Sequence, residues 1–207
     1  MFAQGRSIIV GEGWPWLIAS LTVTGVVFSR AGPLWSLLPL MVTGWLYLLF
    51  RDPVREVPPL PLAVVAPVDG QVVSTARVTD QSLPGDWHCV TIRAHHLGAY
   101  TVRAPIEGTI LDVREKCRGT PLEGQSTGMW LRSEEGDDVV LLFRGPRLFS
   151  PRSFVRYGER VGQGARFAYL RLTPIAEVYL PISSRLQVEA GQRVMAGSGV
   201  IAELVHA

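Results

Sequence analysis

A mainly β domain behind an N-terminal two-helix hairpin is the fold class that this sequence predicts. Three observations carry it. Two uncharged apolar runs, Gly13–Ser29 and Leu34–Phe50, open the 207-residue chain. After Phe50 no stretch keeps a 3.6-residue hydrophobic period; short apolar runs alternate with Gly, Pro and Asp instead. Finally, two short motifs each occur twice in that second part.

The hairpin is expected over residues 1–50. Each run is near the lower limit for a helix crossing about 30 Å of hydrocarbon. Arg30-Ala31-Gly32-Pro33 lies between them, and Gly-Pro supplies a tight turn. Trp14, Trp16, Trp35 and Trp45 suit a membrane interface. A hydrophobic content of 47% and a mean hydropathy of +0.22 agree with a membrane segment. A cleaved signal peptide is disfavoured, because no small-x-small site precedes a polar start and a second apolar run follows. The sequence thus predicts a transmembrane or re-entrant hairpin. Arg6, Arg51 and Arg55 flank it and Arg30 alone occupies its turn, so positive-inside weighting places both ends in the cytoplasm, at the inner membrane.

Residues 51–207 are expected to form the β domain, entered through the proline-rich stretch Arg51–Pro61. Strand candidates are Ala63–Ala66, Gln71–Val73, His88–Ile92, Thr109–Val113, Val139–Phe143, Phe154–Tyr157 and Glu177–Leu180. Phe167–Pro181 reads as two strands meeting at a Thr173-Pro174 corner, and 118–128 as a long polar loop. A net charge of +2 gives no reason to expect a nucleic-acid partner. Cys89 and Cys117 lack metal-ligand or CxxC spacing and read as free thiols. His95 and His96 are adjacent, so on a strand they point to opposite faces and make a poor metal-ligand pair. No metal site is expected.

The repeats refine the fold. Ala66-Pro67-Val68-Asp69-Gly70-Gln71-Val72 echoes Ala104-Pro105-Ile106-Glu107-Gly108-Thr109-Ile110, and Gly158–Gly164 echoes Gly191–Gly197. Together they resemble the barrel-sandwich hybrids of biotinyl and lipoyl carriers and of membrane-fusion adaptors. A carrier needs a lysine at a hairpin tip; Lys116, the single lysine, lies far from either repeat's turn signature.

Over nearly its full length the chain resembles the short prokaryotic phosphatidylserine decarboxylases. The motifs are Glu12-Gly13-Trp14-Pro15, Phe50-Arg51-Asp52-Pro53-Val54-Arg55, Ala66–Gly70, Arg103–Gly108, Tyr157–Val161 and Phe167–Pro181. The resemblance implies a barrel-sandwich-like decarboxylase domain. In that family a serine attacks the preceding carbonyl and becomes a pyruvoyl group, which takes up the substrate amine as a Schiff base and draws off electrons as carbon dioxide leaves. An aspartate–histidine pair activates the serine.

Residue by residue, Asp69 matches the aspartate, Tyr100 stands in place of the histidine, and Thr173-Pro174 stands in place of the Gly-Ser pair. Proline has no hydroxyl and no amide proton, so Pro174 can neither attack nor become a pyruvoyl group. No cofactor is expected. The resulting expectation is a membrane-anchored, unprocessed and catalytically silent family member. It would bind phospholipid, or form a homo- or hetero-oligomer with an active relative, and Arg51, Arg55 and Arg103 are candidate phosphate contacts. One alternative is an active decarboxylase making phosphatidylethanolamine through a Thr173-derived keto-acyl group. Another is a membrane-anchored assembly adaptor.

Overall fold

A computed structural model describes residues 9–60, 62–79, 85–114, 126–146 and 150–205. Arg6, Lys116 and Cys117 lie outside them, as does most of the expected 118–128 loop. The chain divides into two compact units: Met1–Val54 with Leu97–Tyr100, and Arg55–His96 with Thr101–Ala207.

The first unit is built on helices α1 (Trp14–Ala31) and α2 (Pro33–Leu49). Each has a proline in its first turn, where a missing N–H costs nothing. Gly32, at φ 85°, makes the link between them. Gly13 is required by close packing, since a Cβ there would lie 2.6 Å from Phe50 Cβ. Val10 N–H donates to Phe50 O at 3.2 Å, which ties the start of the unit to the end of α2.

A membrane-crossing hairpin is overturned here: among the described residues no helix is long and apolar enough to cross a membrane. Length is one reason. At about 1.5 Å per residue, helices of 18 and 17 residues fall short of about 30 Å of hydrocarbon. Composition is the other. The uncharged run and the helix do not coincide, because α1 continues through Arg30 and begins with Trp14-Pro15-Trp16. The charge-based orientation lapses with the span it presupposes.

The second unit is β throughout its described residues. Strands β2 (Gly70–Thr79), β3 (Asp86–Ala94), β5 (Gly108–Arg114), β6 (Ser126–Arg132), β7 (Asp138–Arg144), β9 (Arg160–Val161), β11 (Ile175–Pro181) and β13 (Arg193–Val194) form one sheet. Its order is β13-β2-β3-β11-β7-β6-β5-β9. Two three-stranded sheets accompany it. One joins β1 (Ala63–Val65), β14 (Val200–Glu203) and β12 (Arg185–Leu186); the other joins β4 (Thr101–Arg103), β10 (Arg166–Tyr169) and β8 (Arg152–Ser153).

The repeats become a pseudo-twofold arrangement. Val65 N–H donates to Pro105 O and, reciprocally, Arg103 N–H donates to Pro67 O, both at 2.9 Å. Gly197 N–H meets Ala66 O as Gly164 N–H meets Ala104 O, each at 2.8 Å. Gly191 and Gly158 close the other ends on Val72 O and Ile110 O, again at 2.8 Å. Gly70 and Gly108 are equivalent: a Cβ at either would strike the carbonyl oxygen of the neighbouring strand, that of Arg93 or Arg132. Sequence alternation fills the space within. Val90 and Ile92, Leu141 and Phe143, and Ala176, Val178 and Leu180 all turn into one core with Val68 and Ile110.

Two strand expectations need correction. Phe154–Tyr157 is not a strand. Ser153 Oγ accepts the Val155 N–H at 3.2 Å and donates to its carbonyl at 3.1 Å, and the Glu159 carboxylate takes the Arg156 N–H at 3.0 Å. Side chains thus satisfy backbone groups that a ladder would need. Conversely, β6 starts at Ser126, inside the expected polar loop, because pairing of Ser126 to Arg144 and of Thr127 to Phe143 extends the sheet.

Candidate active-site region and its relatives

The corner at Thr173-Pro174 carries the chain from β10 in a small sheet to β11 in the large one. Arg171 and Leu172 have φ of 51° and 64°, two consecutive non-glycine residues in the left-handed region. Such residues cost about 1–2 kcal/mol each. The turn is closed twice on one carbonyl: Leu170 O accepts the Thr173 N–H at 3.1 Å and the Thr173 hydroxyl at 2.7 Å. Thr173 is 1% exposed. Its hydroxyl is therefore engaged with the carbonyl three residues back. Pro174 follows, and Gly145 is required beside it, since a Cβ at 145 would lie 2.8 Å from Pro174 Cδ.

Asp69 stands close by through the end of β3. Ala94 N–H donates to Pro174 O and His95 N–H donates to Asp69 O, both at 2.8 Å. One dipeptide thus bridges the backbone of the two positions. The Asp69 side chain is largely buried and both of its oxygens are engaged. Oδ1 accepts the Ala196 N–H at 2.7 Å, and Oδ2 pairs with the Arg55 guanidinium at 2.9 Å. Asp69 therefore fastens the entry segment and the 195–197 turn to the first repeat. Its repeat counterpart Glu107 is exposed and lies 4.0 Å from Arg160, so the twofold is broken at this residue.

The remaining candidates fall in both units. Tyr100 belongs to the N-terminal unit, where its ring packs on Phe50 with centroids 4.9 Å apart. Arg51 is exposed and bridges Ile9 in the same unit. Arg55 spends one nitrogen on Asp69 and places another 3.6 Å from Met195 Sδ. Arg103 is buried and donates to Gly164 O at 3.4 Å. The imidazoles of His95 and His96 are exposed. Among the described residues no group of three or more His, Cys, Asp or Glu side chains could hold a metal ion.

Sequence reading missed Gly145, Ala196 and the nearness of His95 to Asp69. A glycine before Pro146 was the one available signal for the first; nothing local marks the others. On the opposite face of β11 the Glu177 carboxylate pairs with Arg144 at 2.9 Å and accepts the Tyr179 hydroxyl at 3.1 Å. Burial first, and the nearby anionic groups second, push the Cys89 thiol and the Tyr179 phenol upward, so both stay protonated and unreactive at neutral pH.

No family model matches the chain. Individual relatives do. It is 31% identical over 206 residues to a phosphatidylserine decarboxylase proenzyme of Nitrosomonas europaea and 32% identical over 207 residues to that of Nitrosomonas eutropha, with 95% of each chain covered. The corresponding proenzyme of Ralstonia nicotianae is 30% identical, covering 95% of this chain and 96% of its own. Among solved structures, a glucose permease IIA from Mycoplasma capricolum gives a TM-score of 0.47 at 16% identity, over 68% of this chain and 94% of that one. Identity at this level over nearly the whole length, together with the motifs around Asp69 and Thr173-Pro174, places the chain in the phosphatidylserine decarboxylase family.

Proposed function

We propose that this chain is a phospholipid-metabolism protein of that family that remains intact and catalytically silent. It is held at a membrane surface by a hairpin that enters the bilayer without crossing it. The observation that carries the reading is Pro174 at the serine position. Self-cleavage needs a hydroxyl there, and proline supplies none. Two details support it: the Thr173 hydroxyl is already given to Leu170 O, and both oxygens of Asp69 are given to Arg55 and Ala196.

Attachment rests on the hairpin surface. Trp16, Leu34, Trp35, Leu38 and Met41 are each more than 60% exposed, far more apolar area than water favours. Every serine and threonine of the two helices bonds within the helix pair. Ser20 meets Thr43 at 2.7 Å, and Thr22, Thr24, Ser29, Ser36 and Thr43 each donate to a carbonyl of their own helix. Hydrocarbon demands that kind of internal satisfaction. The silent protein then binds phospholipid itself or joins an active relative. Arg51 is the accessible phosphate contact, whereas Arg55 reaches a phosphate only by leaving Asp69.

The test is the intact mass of the purified protein, with and without borohydride reduction in the presence of an amine. A single species at 22.7 kDa, unchanged by reduction, is expected. Two fragments, the smaller starting at Thr173 with a reducible terminus, would instead establish a Thr173-derived keto-acyl enzyme. The strained pair Arg171-Leu172 just before that bond is what favours this second reading.

A further inference from the structure

The Asp69 clamp ends on a sulfur atom. Arg55 gives Nη2 to Asp69 Oδ2 at 2.9 Å, but its Nη1 donates to the Met195 thioether at 3.6 Å. Its Nε is buried and without a hydrogen-bond partner. A guanidinium carries five N–H donors, and a thioether is a weak acceptor. Among the described residues this mostly buried cation therefore has one strong acceptor, the Asp69 carboxylate.

The backbone around Met195 is pinned. Ala196 N–H meets Asp69 Oδ1 at 2.7 Å, Gly197 N–H meets Ala66 O at 2.8 Å, and Met195 O accepts the Ser198 and Gly199 N–H groups at 3.2 and 2.8 Å. The Met195 side chain is 48% exposed, open to small solutes. Met129, at 1%, is sealed in the core, and Met41 lies on the hairpin. Arg55 also opens the segment leading to β1. Two residues on, Val57 fills the space beside Gly164, where a Cβ would strike it. The segment thus touches both repeat turns, 162–164 through Val57 and 195–197 through Arg55.

We infer that Met195 is a peroxide-sensitive modification site whose sulfoxide locks the entry segment onto the β domain. The sulfur attacks one oxygen of a hydroperoxide. An S–O bond forms as the O–O bond breaks, and the proton of the transferred oxygen leaves with the other half as water or alcohol. Sulfur is oxidised by two electrons and the peroxide is reduced by two. The product carries a strong acceptor oxygen beside Arg55 on an unbranched side chain that can turn to meet it. A charge-assisted hydrogen bond then replaces the thioether contact, and the under-served guanidinium gains its second strong acceptor. Sulfoxide reduction restores the thioether, so the lock is reversible. The inference goes beyond the proposed function and stands even if the chain processes itself.

The experiment treats the full-length protein, in an M41L background that removes the hairpin methionine, with limiting hydrogen peroxide. Peptide mapping locates the added oxygen, and thermal unfolding reads the lock. Met195 is expected to take up oxygen well before Met129. The midpoint is then expected to rise by about 2–4 °C, the shift that one hydrogen bond to a charged group gives a domain this size. The same treatment should leave the midpoint of M195L unchanged. In R55A the oxygen should still be added, with no rise over untreated R55A.

Oxidation of Met129 ahead of Met195, an unchanged or lowered midpoint after Met195 oxidation, or an equal rise in M195L or R55A each overturns the inference. If R55A is too unstable to read, M195L decides alone.

Discussion

Removing the Asp69 carboxylate tests whether this family aspartate works here as a structural clamp. Its Oδ2 lies 2.9 Å from Arg55, with side-chain exposures of 12% and 20%. Its Oδ1 lies 2.7 Å from the Ala196 amide. Asp69→Ala therefore strands a mostly buried guanidinium and a buried N–H together. An uncompensated buried charge costs about 3–5 kcal/mol and an orphaned amide about 1–3 kcal/mol. Residual exposure and relaxation reduce that sum, so about 3–4 kcal/mol is expected. Each kcal/mol moves the midpoint of a domain this size by about 2–4 °C, which predicts a fall of roughly 6–16 °C.

Asp69→Asn keeps the acceptor for Ala196 and loses only the charge, so about half the effect is expected. In a double-mutant cycle with Arg55→Ala, the pair should couple by about 1–3 kcal/mol, since removing both partners leaves no stranded charge. The assay is thermal unfolding of the full chain followed by tryptophan fluorescence. A midpoint within about 2 °C of wild type for Asp69→Ala, or a coupling below about 0.5 kcal/mol, would refute the clamp.

Arg171→Gly should stabilise the protein by about 0.5–1 kcal/mol in urea unfolding, because glycine adopts φ of 51° without strain; a destabilised variant would remove the strain argument. Gly70→Ala and Gly108→Ala should each cost about 3 kcal/mol or more by the same measurement, since the new methyl meets a backbone carbonyl that cannot withdraw. Tolerance at one site and not the other would contradict their equivalence.

Much of the fold was legible because its signals are local. Strand-length apolar runs placed the cores of β2, β3, β5, β7 and β11, and the paired Pro-x-[Asp/Glu]-Gly motifs pointed to a repeated β unit. Strands of two residues such as β8 and β12 carry no periodicity, so no local pattern announces them. Phe154–Tyr157 has strand-like composition, but neighbouring Ser153 and Glu159 capture its backbone groups. The hairpin illustrates a different limit. An uncharged run bounds where a helix begins and ends only loosely, and α1 took in Arg30 while α2 stopped at Leu49.

By itself the sequence determined what is covalent and what is short-range. Pro174 lacks a hydroxyl whatever surrounds it, and the motifs assign the family without reference to any fold. Tertiary structure decided everything that depends on residues far apart in the chain. It turned Asp69 toward Ala196, 127 positions away, and crossed the two repeats through Val65 to Pro105 and Arg103 to Pro67. It also set Ala94-His95 between Asp69 and Pro174. The physical reason is the same in each case. A buried carboxylate or amide takes whichever partner the closed fold brings within hydrogen-bond distance, and local sequence does not contain that partner.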